Sequence, residues 1–208
     1  MKINEIFYSI QGEGNWTGLP NIFIRTTGCN LRCSFCDTKY AYKKGKELTV
    51  EEIIEKISQY TCKYICITGG EPLLQKDIFN LIDKLLKKGY KISIETNGSL
   101  SIKKIGKKPL MISLDIKCPG SKMHKNNYLK NINFLKKDDQ LKFVIKNKED
   151  YLYAKKILEE YKPDCTVFLQ LVWGKNPKNL TKWILNDGLN VKIGLQIHKI
   201  IWGRKKTV

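Results

Sequence analysis

The feature that most constrains this chain is a repeated alternation. Short β-branched runs end in sharp punctuation, and most are followed by helical periods. Asn21 to Thr26 predicts a strand that runs into a cysteine-rich loop. Thr49-Val50-Glu51-Glu52 has the form of a capping box and opens a helix through Ile53, Ile54 and Ile57. Tyr64 to Thr68 predicts a strand that ends in Gly69-Gly70-Glu71-Pro72. The next helix carries Ile78, Phe79, Leu81, Ile82, Leu85 and Leu86 on one face and stops at Gly89. Further strands are predicted at Tyr90 to Glu95, Met111 to Ile116, Leu141 to Ile145, Thr166 to Leu169 and Val191 to Leu195. Helices are predicted near Asp150 to Tyr161 and Pro177 to Asn186.

Such alternation implies an α/β fold with a parallel sheet and right-handed crossovers. About six units suit a partial (β/α)6 TIM-like barrel better than a complete eightfold one, in a single domain spanning residues 1–208. Function in such folds gathers at the C-terminal ends of strands. The cysteine loop, Gly-Gly-Glu-Pro, Thr96-Asn97-Gly98, Asp115-Ile116-Lys117 and Gln170 all fall there.

Three of the seven cysteines, Cys29, Cys33 and Cys36, form a C-x3-C-x2-C run. The N-terminus is no signal peptide and no apolar stretch reaches transmembrane length, so a soluble cytoplasmic protein without a membrane partner is expected. In that compartment cysteines serve metal or redox chemistry more than disulfides. Cys62 and Cys66 read as small core residues. Three thiolates are one short of a structural zinc site or a fully ligated iron–sulfur cluster, so a four-iron cluster here would keep one iron open. The competing reading is a structural zinc that borrows Cys66, Cys118 or a histidine; the only histidines, His124 and His198, lack zinc-finger spacing.

The net charge of +18 invites a nucleic-acid reading. Only Arg25, Arg32 and Arg204 are arginine, and the lysines are scattered in pairs over predicted helices, as on solvated faces. Nucleic acid is therefore not required. The scarcity of arginine singles out Arg25, four residues before Cys29.

The cysteine spacing, in register with Gly69-Gly70-Glu71-Pro72, resembles the radical S-adenosylmethionine (SAM) superfamily. That resemblance implies a radical SAM-type barrel, a [4Fe–4S] cluster on Cys29, Cys33 and Cys36, and SAM as cofactor. The open iron would chelate the methionine group of SAM, and reductive cleavage would yield a 5′-deoxyadenosyl radical that takes a hydrogen atom from substrate. No side chain is then needed as the catalytic group; the protein orients and shields.

Within the superfamily, Phe7-Tyr8-Ser9-Ile10-Gln11-Gly12-Glu13-Gly14, Gly18-Leu19-Pro20, Phe23-Ile24-Arg25 and Cys36-Asp37-Thr38 resemble the 7-carboxy-7-deazaguanine synthase family. Glu95-Thr96-Asn97-Gly98, Asp115-Ile116-Lys117-Cys118-Pro119 and Gln196-Ile197-His198-Lys199 continue the likeness along almost the whole chain. The family converts 6-carboxy-5,6,7,8-tetrahydropterin to 7-carboxy-7-deazaguanine with loss of ammonia, toward the queuosine and archaeosine nucleosides of tRNA. The resemblance implies Mg²⁺ as a further cofactor, a homodimer, and an electron donor such as flavodoxin or ferredoxin.

Carried onto this sequence, Ile10, Gln11, Gly12, Glu13, Arg25, Thr96 and His198 would meet the pterin. Gln11 and Glu13 suit its donor and acceptor edges, and Arg25 suits a carboxylate. Phe35 would pack on the adenine. Gly69, Gly70 and Glu71 would receive the SAM ammonium; Asn97, Gly98, Asp115, Ile116, Lys117 and Gln170 would line the rest of its site. Thr38 would bind Mg²⁺, with Asp37 orienting its shell. His198 is expected at a strand end. The sequence departs from many relatives at Asp115-Ile116-Lys117, where they carry Ser-Pro-Lys, and at Leu171, where they carry proline. The basic run from Ile200 to Val208 reads as frayed surface. Two other readings compete: a glycyl-radical activase, which shares the cysteine spacing, and a zinc-stabilised RNA-binding protein, which the charge would support.

Overall fold

A computed structural model describes residues 1–203 and Lys205. Arg204 and residues 206–208 lie outside the described residues, and with them part of the basic run read as surface. That run begins inside a helix rather than as frayed chain, because α5 spans Ile197–Trp202.

Strands β1 (Lys2–Ile10), β2 (Pro20–Thr26) and β3 (Lys46–Glu47) precede helix α1 (Val50–Ser58). Then follow β4 (Tyr64–Gly69), α2 (Ile78–Lys87), β5 (Lys91–Thr96), β6 (Met111–Ile116) and β7 (Gln140–Ile145). Helix α3 (Lys148–Tyr161), β8 (Thr166–Leu171), α4 (Lys178–Asp187) and β9 (Lys192–Gly194) complete the sheet before α5. The order β3-β1-β2-β4-β5-β6-β7-β8-β9 is parallel from β2 to β9 and does not close, giving a partial barrel. β1 is antiparallel to β2 and was not anticipated from sequence; its residues alternate less cleanly than those of the buried strands.

The parallel strands alternate with period two. Ile22, Ile24, Ile65, Ile67, Ile92, Ile94, Ile112, Leu114, Leu141 and Phe143 enter the main apolar core. Phe23, Arg25, Thr68, Glu95, Asp115, Lys142 and Gln170 lie on the other face and line an interior cavity. Helices cover the apolar face. In α2, Ile78, Leu81, Ile82 and Leu85 are buried at the spacing of one helical stripe. The expected capping box on α1 is present: the Thr49 hydroxyl accepts from the Glu52 N–H, and the Glu52 carboxylate accepts from the Thr49 N–H at 2.7 Å.

The crossovers from β5 to β6 and from β6 to β7 carry only 3-10 turns. Side chains supply there the backbone partners that helices would supply. Asn131, fully buried, accepts from the Ile102 N–H at 3.0 Å and donates to the Leu100 carbonyl at 2.8 Å. Asp139, also fully buried, accepts from the Ile112 and Lys136 N–H groups, each at 2.7 Å.

Asp139→Ala is expected to lower the free energy of unfolding by about 2–4 kcal/mol, because two backbone donors lose a charged partner. Urea titration followed by circular dichroism measures it; a change within experimental error would show that water replaces the carboxylate.

Candidate active site

The cysteine loop is fixed before any ligand is considered. The Gly28 carbonyl accepts from the Glu71 N–H at 2.8 Å, and the Gly28 N–H donates to the Ala41 carbonyl at 2.9 Å. The Ser34 N–H and hydroxyl donate to the Ser121 and Gly120 carbonyls at 3.0 and 2.7 Å. Arg32 ties off the Cys29 and Leu31 carbonyls, each at 2.7 Å, with its guanidinium 4.5 Å above the Tyr42 ring. Cys29, Cys33 and Cys36 are unpaired thiols that line the cavity. Among the described residues no three His, Cys, Asp or Glu side chains group tightly enough for a single metal ion. Three thiols spaced around one cavity suit a cluster, in which each binds a different iron. Cys62 and Cys118 pack in the apolar core; Cys66, expected there too, is buried on the inward face instead, with its thiol 3.7 Å from Glu95 Oε1, because Ile65 and Ile67 take the core side of β4.

The cavity holds about 650 Å³, enough for two small molecules side by side. One wall comes from the N-terminal turn. Ile10, Gln11, Gly12 and Glu13 all line it. Glu13 is gripped twice: Lys142 Nζ donates to Oε2 at 3.0 Å and Gln196 Nε2 to Oε1 at 2.7 Å. Burial alone would push this carboxyl up, but Lys142, Gln196 and His198 together bring it down to about 2. Arg25 gives its Nε to Glu5 at 2.6 Å, and its guanidinium lies 5.8 Å from Phe7 and 5.9 Å from Tyr40. That pairing leaves the terminal fork out of the contact with Glu5.

His198 lies in the first turn of α5, not at a strand end, because the chain turns into a helix directly after β9. Its ring packs against Gly12, where a Cβ would fall 1.9 Å from Nδ1. Burial pushes its pKa down, against the pull of Glu13. Thr38 precedes a 3-10 turn, yet its hydroxyl caps nothing and bonds Asp37 Oδ1 at 3.0 Å. Asp37 is ion-paired with Lys199.

The cavity is lined further by Phe35, Gly69, Gly70, Thr96, Asn97, Asp115, Lys117 and Gln170. A Cβ at Gly70 would fall 1.9 Å from the Gly28 carbonyl oxygen, so this residue lets two loops touch. Asp115 bonds Lys117 Nζ through Oδ2 at 2.9 Å. Its buried Oδ1 has Lys142 at 3.3 Å but no well-formed hydrogen bond, so it is held by charge alone.

Three expected SAM-site residues do not line the cavity. Glu71 is fully buried, and its carboxylate is taken by Leu73 N–H (3.0 Å), Thr96 Oγ1 (2.9 Å) and Asn97 N–H (2.6 Å). It anchors Thr96 and Asn97 instead of receiving an ammonium. Ile116 alternates with Asp115 and Lys117 and enters the apolar core. Gly98, at φ +74°, gives its carbonyl to Tyr128 N–H and Asn131 Nδ2.

Sequence reasoning missed Lys142 and gave no role to Glu95, Gln196 or Lys199, all of which line the cavity. The available signal was a charged or polar residue at several inward positions of otherwise apolar strands, such as Arg25, Glu95, Asp115 and Lys142. Replacing any one of Cys29, Cys33 or Cys36 with alanine is expected to abolish the brown absorbance and lower bound iron and sulfide in anaerobically reconstituted protein. Cys62→Ala and Cys165→Ala are expected to retain both; loss of the chromophore in these two alone would move the cluster elsewhere.

Residues 23–172 match the radical SAM superfamily. The chain is 39% identical to the 7-carboxy-7-deazaguanine synthase of Thermoplasma acidophilum, covering 98% of both chains. It is 40% identical to the synthase of Methanospirillum hungatei, over 97% of this chain and 85% of that one. Among solved structures, that of QueE from Escherichia coli is similar in fold, with a TM-score of 0.78 at 24% identity over 94% of this chain and 93% of that one. A near-full-length likeness of this kind, carried by a chain whose three thiols and N-terminal turn face one cavity, has one conclusion: the chain belongs to the 7-carboxy-7-deazaguanine synthase family of radical SAM enzymes.

Proposed function

We propose that the chain converts 6-carboxy-5,6,7,8-tetrahydropterin to 7-carboxy-7-deazaguanine with release of ammonia, as a single domain supplying deazapurine tRNA nucleosides. One observation carries the reading: a single cavity is lined both by the three thiols and by the Gln11–Glu13 turn, Arg25 and His198. The cluster and SAM, when bound, supply the one-electron chemistry that removes a hydrogen atom from the substrate.

The protein's own groups bind and orient. Glu13, ionised and held from two sides, accepts from the guanidine-like N–H edge of the pterin. Gln11 adds a group of both polarities. Arg25 meets the carboxylate with the fork that Glu5 leaves unused. His198 closes the cavity over Gly12. Phe35 would cover the adenine of SAM, and the Asp115 carboxylate would accept from a ribose hydroxyl. The Gly69-Gly70 backbone, with no side chains in the way, would approach the methionine group. The Thr38 hydroxyl and the Asp37 carboxylate form an oxygen donor set that would hold Mg²⁺, which would supply positive charge beside the substrate. Occupation of that site requires Asp37 to share its charge with Lys199. Reduction by flavodoxin or ferredoxin, and work in the cytoplasm as a homodimer, complete the reading; a reducing compartment suits an exposed cluster.

Anaerobically reconstituted protein is expected to consume the carboxylated tetrahydropterin in the presence of SAM, reductant and Mg²⁺. Cleavage of SAM with the pterin left intact would overturn the substrate assignment. Arg25→Lys keeps a charge for Glu5 but loses the fork, and is expected to raise the pterin KM about tenfold while SAM binding is unchanged.

A further inference from the structure

Lys142 lies between two carboxylates of the cavity. It projects from β7, its side chain is 8% exposed, and its ammonium is 3.0 Å from Glu13 Oε2 and 3.3 Å from Asp115 Oδ1. Glu95 on β5 is a third carboxylate within its field. Glu13 comes from the N-terminal turn and Asp115 from β6, and no other described side chain is ion-paired with both.

The occupancy of Glu13 is specific. Lys142 takes Oε2 and Gln196 takes Oε1, one donor to each oxygen. A carboxylate accepts about four hydrogen bonds, so the lone pairs left over point away from these two donors. Moving the ammonium would turn the carboxylate and so move the acceptors offered to a ligand. Burying a carboxylate without a partner also favours its protonated form, which donates at one oxygen and no longer presents two acceptors.

We propose that Lys142 is a positioning residue for the pterin: its ammonium holds the Glu13 carboxylate and fixes the direction of its free lone pairs, while its contact to Asp115 ties that carboxylate to the same ammonium. The proposal rests on the assignment of Glu13 as the acceptor for the pterin. Four charged or titratable groups act on Glu13: Lys142 from β7, His198 from α5, Asp37 from the cysteine loop and Glu95 from β5; Asp115 from β6 lies beyond Lys142. Of these Lys142 alone combines a positive charge with a hydrogen bond to Glu13.

The test is steady-state kinetics of the cluster-loaded enzyme over about pH 6–8.5, with pterin KM, kcat and SAM affinity measured for wild type, Lys142→Met, Glu13→Gln and the double variant. Lys142→Met is expected to raise the pterin KM at least about tenfold. The sign of its pH dependence is set: without the ammonium, burial lifts the Glu13 carboxyl, so pterin KM rises further as pH falls and recovers as pH rises. Lys142→Arg is expected to restore part of the loss. In the Glu13→Gln background, Lys142→Met should change pterin KM by less than about threefold, since the group it acts through is gone. A merely structural lysine would instead lower cluster content and SAM affinity together, with no new pH dependence of pterin KM.

An unchanged pterin KM with a flat pH profile in Lys142→Met would overturn the proposal. If Lys142→Met does not fold, the double variant, which removes both buried charges, decides. Pterin KM equal to that of Glu13→Gln supports the proposal, and a further tenfold rise overturns it. Failure of the wild type to consume pterin is a separate result that refutes the functional reading itself.

Discussion

Two bare backbones touching are what the rest of the site depends on. Gly28 and Gly70 meet where β2 and β4 end, and the Gly28 carbonyl accepts from the Glu71 N–H at 2.8 Å. This contact seats the cysteine loop directly on the strand that carries Gly69 and Gly70. A side chain at Gly70 would collide with the Gly28 backbone, which cannot move without carrying Cys29 along. Glu71 then extends the chain of constraint. Buried and triply bonded, it locks Thr96 and Asn97 at the end of β5, and Asn97 Nδ2 returns to Cys29 Sγ at 3.6 Å. Three strand ends and one loop thus form a closed circuit of hydrogen bonds around the thiols. Pre-organisation of this kind removes ordering costs from ligand binding.

The second constraint is electrostatic. Parallel strands are commonly apolar on both faces, but here the inward positions carry Arg25, Glu95, Asp115 and Lys142. Each buried charge is tolerable only with a partner. The pairs Arg25–Glu5, Lys142–Glu13 and Lys117–Asp115 supply partners for three of them, and Glu95 accepts from the Thr68 hydroxyl at 3.0 Å within the field of Lys142; positive and negative ends are thereby held at fixed places on the cavity lining. The outer apolar face provides the stability that this interior cannot.

Much of this was legible in the sequence. The helices at α1 and α2, the parallel strands and the gathering of Gly69-Gly70, Asn97, Asp115 and Gln170 at strand ends follow from period and punctuation. Other parts were not. Glu71 sits in a motif that suggests ligand contact, yet its carboxylate is spent on three protein donors, a fact set by the distance between β4 and β5. His198 reads as a strand end because Val191 to Leu195 is β-branched, whereas the bond from the Ile197 N–H to the Gly12 carbonyl at 3.1 Å turns the chain into α5. Lys142 looked like one more surface lysine in a lysine-rich chain. Its inward position depends on the register Asp115↔Lys142↔Phe168, which only the paired strands define.

The seating of His198 on Gly12 joins segments that lie far apart in the sequence. Gly12 belongs to the turn after β1, and His198 to the last described helix. Gln196 holds the Glu13 carboxylate at 2.7 Å, and the Ile197 N–H donates to the Gly12 carbonyl at 3.1 Å. The part of the chamber that carries Glu13 is therefore built from both ends of the described chain, and neither end completes it alone.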